Sequence, residues 1–243
     1  MGTWLGVTIC SLASSALVKD WVSDQMTTDW VPIPAGSCRI GSTSVAANPP
    51  RTVEFEAFWL GRCEVTVTQY CSFLTDSGFS FRQCHPQLRR VGETWRPKWG
   101  QKHRPIGHID VGEAFAYCRW LSVQTGRTVR LPNPAEWEYA ARAGRSNVRY
   151  PWGWGSPQDR AVFAMTASRR VGSFAGNEYD VHDMAGNVFE WCDPGDDSSQ
   201  DDSCEVRGGS WTDRDLKVLQ VYYPVRLKRN YRDADVGFRV LIK

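Results

Sequence analysis

The chain has 243 residues, enough for one large domain or one domain with an arm, and such a length buries about 70–75% of the surface its unfolded form exposes. Its 29 Lys and Arg against 27 Asp and Glu leave a net charge of +2, too weak a field to argue for a nucleic-acid partner. With 42% hydrophobic residues, a mean hydropathy of −0.43 and no apolar run near the ~20 residues of a membrane span, the composition predicts a globular protein without a transmembrane helix.

In chain order, Met1 to Ala16 is apolar and ends in Ser14-Ser15-Ala16, a tolerable cleavage pattern for a secretory signal. No Lys or Arg opens it, and Thr8, Cys10 and Ser11 interrupt it, so an amphipathic arm that packs on a larger assembly stands as the alternative. Residues 1–28 are therefore set apart as an arm or signal-like segment and residues 29–243 as the domain, with an extracytoplasmic location favoured over a cytoplasmic one.

Trp30 to Gly36 and Cys38 to Gly41 read as an opening strand and turn, confined to edge positions by Pro32 and Pro34. Arg51 to Phe58 alternates polar and apolar residues as a half-buried strand does. Three helices follow, each announced by a capping box in which an N-cap oxygen and a Glu or Gln at N3 satisfy each other's backbone donors. Thr66 with Gln69 opens the first, Asp110 with Glu113 the second, which Gly126 stops, and Asn133 with Glu136 the third, where Pro134 sits at N1. Between the first two, Gly78 to Arg104 is rich in Arg, Trp, Gly and Pro and predicts a long surface excursion. After Gly144 the pattern breaks into short pieces bounded by Gly, Pro, Asn and Asp.

Charge is uneven late in the chain. Asp193 to Glu205 is acidic with no Lys or Arg, whereas nine basic residues lie from Val206 onward, so either an anion-binding face or a solvated basic surface facing the acidic loop is expected. The eight cysteines show no short-spaced metal pattern. Cys192 and Cys204 flank the acidic loop and form either a disulfide or two thiols. His85 and His103 fall in the long excursion, where two solvated histidines are favoured over a metal pair.

The motifs Leu131-Pro-Asn-Pro-Ala-Glu-Trp-Glu-Tyr-Ala-Ala141, Tyr150-Pro-Trp-Gly153, Asp183-Met-Ala-Gly-Asn-Val-Phe-Glu-Trp191, Arg207-Gly-Gly-Ser-Trp211 and Val236-Gly-Phe-Arg239 occur in one order from about Val31 to Val240. Together they resemble the formylglycine-generating enzyme, or sulfatase-modifying factor, family. The resemblance implies an α+β, loop-rich, divergent C-type-lectin-like fold in a single domain. It implies one calcium site built from Asp183, Met184, Gly186, Val188 and Glu190, since a hard cation accepts side-chain and carbonyl oxygens together. Asp183 capping a turn and Glu190 pairing with a buried Arg is the plain alternative. The family's other calcium site lacks its Asn, replaced by Val162. Positions that pair with a cysteine like Cys118 in some relatives are Ala141 and Val240, which leaves Cys118 a buried thiol.

Formylglycine-generating enzymes carry a cysteine three residues after Gly-Gly-Ser and another five further on, which hold Cu(I). The matching positions are Asp213 and Val218, so the resemblance implies no copper and no oxidase activity. Sulfoxide synthases that share the domain need a three-histidine iron site on a separate helical bundle, and no bundle precedes the domain among these residues. In variable proteins of diversity-generating retroelements the segment between Gly-Gly-Ser-Trp and Gly-Phe-Arg displays ligand-binding residues. Here it offers Trp211, Asp213, Arg214, Tyr222, Tyr223, Arg226, Arg229, Tyr231 and Arg232, types that dominate binding hot spots. The expectation is a non-catalytic binding module, a pseudoenzyme with a protein or small-molecule ligand. The alternatives are an enzyme of different chemistry, as in siderophore maturation, with Asp213, Asp215 and Tyr222 as acid or base, and a structural subunit docked through its arm.

Overall fold

The computed structural model describes residues 28–81, 84–195 and 202–243, so the expected arm lies outside the described residues apart from Thr28. All three capping boxes form. They open α1 (Val67–Ser77), α2 (Val111–Thr125) and α3 (Pro134–Arg142), and the first two end on left-handed Gly78 and Gly126. Local donors and acceptors within four residues decide these boundaries, which is why sequence locates them well.

Two four-stranded sheets hold the domain together. The first runs in the order β1 (Trp30–Ile33), β4 (Phe58–Gly61), β12 (Leu241–Ile242), β7 (Val129–Arg130), all antiparallel. The second is β10 (Val225–Lys228), β9 (Ser203–Arg207), β8 (Phe189–Trp191), β11 (Val236–Gly237), with β11 parallel to β8. Two hairpins complete the strands: β2 (Gly36–Ile40) with β3 (Arg51–Phe55), and β5 (Leu88–Val91) with β6 (Thr94–Pro97). Proline-bearing β1 is an edge strand, as expected.

The stretch from Arg51 to Phe58 is not one strand. It breaks after Phe55, and Phe58 starts β4 in a different sheet. The excursion from Gly78 to Arg104 carries the β5–β6 hairpin, whose Trp95 is buried and donates its backbone N–H to Thr75 Oγ1 at 2.9 Å on α1.

One apolar core gathers Tyr70, Phe73, Tyr117, Trp191, Cys204 and Phe238 around α1 and α2. A second gathers Ile33, Leu60, Trp137, Tyr139 and Cys192 around α3. Cys192 and Cys204 thus face opposite sides of the sheet. Cys192 N bonds Glu205 O at 3.0 Å, which puts Cys204 out of phase with it, and both are free thiols. Cys118 is a buried thiol in the first core.

Candidate functional site

The Arg207-Gly-Gly-Ser-Trp211 motif is chiefly a turn with fixed geometry. Gly208 and Gly209 have φ of 91° and 73°, and a Cβ on Gly208 would lie 3.1 Å from the Trp137 ring. Arg207 is buried and donates to Glu138 Oε2 at 3.3 Å; Glu138 also accepts from Arg142 Nε and from Asn48 Nδ2, both at 2.8 Å. A buried acid between two guanidinium groups fixes the base of the turn.

At its far end Asp213 folds back. Its Oδ2 accepts from Ser210 N and from Ser210 Oγ, both at 2.7 Å, while Thr212 Oγ1 donates to Asp235 Oδ2 at 3.0 Å. Trp211 Nε1 reaches Ala234 O at 3.4 Å, and Tyr231 OH reaches Asp233 Oδ2 at 3.5 Å. Ala164 N and Met165 N bond Asp213 O and Trp211 O, each at 2.8 Å, so a second loop seals this turn. Asp235 Oδ1 is buried and has no hydrogen-bond partner among the described residues. Burial pushes the Asp235 carboxyl above its ordinary range against the Thr212 bond, and the charges of Asp233 and Asp213 add to the rise.

The other sequence-predicted ligand residues do not converge there. Arg232 forms ion pairs with Asp110 and Glu113 at the start of α2. Arg226 lies on β10 and donates to Ser203 Oγ at 2.8 Å, and Arg229 N bonds Asp202 O at 3.0 Å. Tyr222 lies under the Arg142 guanidinium, 5.7 Å from it, and Tyr223 N bonds Gln220 O at 3.0 Å. Arg214 is exposed. The acid–base trio fares similarly, because Asp215 caps Lys217 N at 3.0 Å and Tyr222 lines a cavity that does not include Asp213.

His85 is not a solvated loop histidine. It is 1% exposed, accepts from Gln87 N through Nδ1 and bonds Gly107 O through Nε2 at 3.2 Å, which fixes a neutral tautomer. His103 is exposed, so the two sit in unlike environments.

A second cluster lies around Asp183. Asp183 has φ of 57°, and its Oδ2 accepts from Gly172 N at 2.6 Å. Glu190, expected as a cation ligand, has both oxygens engaged: Arg239 donates to each at 2.6 Å, and Trp137 Nε1 donates to Oε2 at 2.7 Å. Instead, Glu64 faces Asp183. It is 2% exposed, its Oε1 accepts from Asn187 Nδ2 at 2.9 Å, and its Oε2 has no hydrogen-bond donor among the described residues. Burial raises both carboxyls, and the Asp183 charge raises Glu64 further. Two facing acids with an orphaned oxygen fit a hard cation, to which the Met184, Gly186 and Val188 carbonyls would add neutral oxygens. Among the described residues no group of three or more His, Cys, Asp or Glu side chains gathers for a metal, so carbonyls would have to complete any such shell. Glu64 is absent from the sequence-based ligand set; its one signal is an acid between Cys63 and Val65 just before a capping box.

Comparison with known proteins agrees with this architecture. The chain is 30% identical over 217 residues to the formylglycine-generating enzyme of Thermomonospora curvata, covering 67% of this chain and 70% of that protein. It is 34% identical over 123 residues to the inactive C-alpha-formylglycine-generating enzyme 2 of Bos taurus, covering 45% of this chain and 39% of that one. Treponema denticola variable protein 1 superposes with a TM-score of 0.73 at 22% identity, over 89% of this chain and 97% of that structure, a likeness of fold alone. Residues 17–243 match the sulfatase-modifying factor enzyme 1-like domain, and the chain belongs to that family.

Proposed function

We propose that this protein is a redox-silent member of its family, a binding module that takes a protein or small-molecule ligand on the face from Trp211 to Asp235 and the excursion from Gly78 to Arg104. The observation that carries this is Asp213, whose Oδ2 is turned back onto Ser210 N and Oγ at 2.7 Å. Cu(I) is soft and needs thiolates. At the two positions where the family's oxidases place cysteines, an engaged carboxylate and the Val218 isopropyl group supply none. Half-exposed Trp211 and exposed Arg214 and Tyr231 offer broad contact area and donors. The existence of an inactive relative supports the reading. In this proposal the Asp183–Glu64 pair holds calcium, with Glu190 serving Arg239 rather than the ion.

Metal analysis of the purified protein, alongside incubation with a cysteine-containing sulfatase peptide, tests this. The expected result is about one calcium per chain, no copper and no aldehyde. Copper together with aldehyde formation would overturn it.

An enzyme of different chemistry is the alternative, and Asp235 favours it: a half-buried acid with a raised pKa and one buried oxygen unpartnered among the described residues is the type that transfers protons. Docking on an assembly through the arm concerns residues outside those described.

A further inference from the structure

A cavity of about 350 Å³ opens where the β2–β3 hairpin meets the turn after α3, away from Trp211 and Asp213. Its walls include Arg39, Ser42, Arg142, Ser146, Trp154 and Tyr222, and among the described residues no Asp or Glu lines it. Arg142, 1% exposed, forms the floor, and its guanidinium is fully engaged. Its Nε donates to Glu138 Oε1 at 2.8 Å, Nη1 to Ser146 O at 2.9 Å and Nη2 to Gly41 O at 3.0 Å. Glu138 is shared with Arg207, so the floor carries no net negative charge.

Arg39 differs. It is exposed at the rim, and its guanidinium has no ion pair or hydrogen bond among the described residues; only its backbone N is engaged, with Ser146 Oγ at 3.3 Å. Trp154 is 62% exposed yet held in place. Its Nε1 donates to Asn147 O at 3.2 Å, and reciprocal backbone bonds between Tyr150 and Gly153, at 2.8 and 2.9 Å, close the turn that carries it.

A fixed, largely exposed indole, a half-buried tyrosine ring and one unpaired guanidinium around a cavity without acids are complementary to a flat ring that bears an anion. Arg favours a planar carboxylate, which accepts two parallel N–H bonds. Ligand cavities run from about 300 to 1,000 Å³, so this one suits a one- or two-ring molecule rather than a nucleotide. We propose that the Arg39–Trp154–Tyr222 cavity binds small aromatic carboxylates. The site is separate from the face assigned above, with Tyr222 alone common to the two residue sets.

The test is calorimetric titration of the full chain with 1-naphthoate, and with 1-naphthylmethylamine as a cation of similar size. Saturable binding of the acid alone is expected, weakened about tenfold by Arg39→Gln. Trp154→Ala should weaken it as well, and Asp213→Ala should leave it unchanged. Both cavity side chains are exposed, so thermal melts should report folded variants. Equal binding of acid and amine, an unchanged affinity in Arg39→Gln, loss in Asp213→Ala, or no heat from the acid at about 10 mM would each overturn the proposal.

Discussion

Arg239 and Glu190 form a bidentate ion pair with both N···O distances at 2.6 Å, and both side chains are sealed from solvent. The remaining guanidinium donors reach Gly61 O at 3.0 Å and His182 O at 2.9 Å, so one side chain ties the end of β4, the Asp183 turn and β8 together. Arg239→Met strands a buried carboxylate and should cost about 3–5 kcal/mol. Urea denaturation measures this, and a loss below about 1 kcal/mol would contradict the role given to the pair.

Calcium should raise the melting temperature of protein stripped with EDTA, by an amount equivalent to about 2.7 kcal/mol at a hundredfold excess over Kd. Asp183→Ala and Glu64→Gln should each abolish the shift, because the two carboxyls face one another and Glu64 Oε2 has no other partner among the described residues. A shift that survives in both variants removes this cluster from consideration.

Asp235→Asn should change how stability depends on pH. Burial holds the folded carboxyl above its ordinary value of 3.8, so folding favours the protonated form. Wild-type stability from this group is complete below that value and declines as pH rises through the raised one. The variant should therefore match wild type in acid and exceed it at neutral pH, read as a difference in melting temperature. A difference that does not vary with pH would speak against a raised carboxyl.

Cys192 and Cys204 should both take up iodoacetamide after denaturation without reductant, since they lie on opposite faces of their sheet. In the native protein they should resist, being buried, and the Cys204 thiol is pushed up to about 11 by burial. Cys84, which is exposed, should react ahead of them. A cross-linked Cys192–Cys204 peptide pair in mass spectrometry would refute the assignment.

Legibility followed range. The capping boxes at Thr66, Asp110 and Asn133 could be read because each closes within three residues. Proline confined β1 to an edge for an equally local reason. The break between Phe55 and Phe58 was hard to read, because Val53, Phe55 and Ala57 keep one phase and only the shift at Phe58, which pairs in another sheet, divides the stretch. Glu64 is illegible for a long-range reason: its meaning depends on Asn187, 123 residues away. Within the C-terminal segment, Arg232 and Tyr231 look alike as contact residues until Arg232 is found paired to α2. Composition names the residue types suited to a binding face, whereas three-dimensional partners decide which remain available.

The placement of β12 between β4 and β7 sets a demand on biosynthesis. Arg239 bonds Gly61 across 178 residues of chain, and Leu241 and Ile242 fill the gap beside Leu60 and Trp59. While a ribosome is still making the intervening stretch, β4 has one open edge and nothing to occupy it. Such late closure slows folding and leaves nascent molecules prone to sticking together, so yield in a cell should respond to chaperone supply more strongly than the finished domain's stability would suggest.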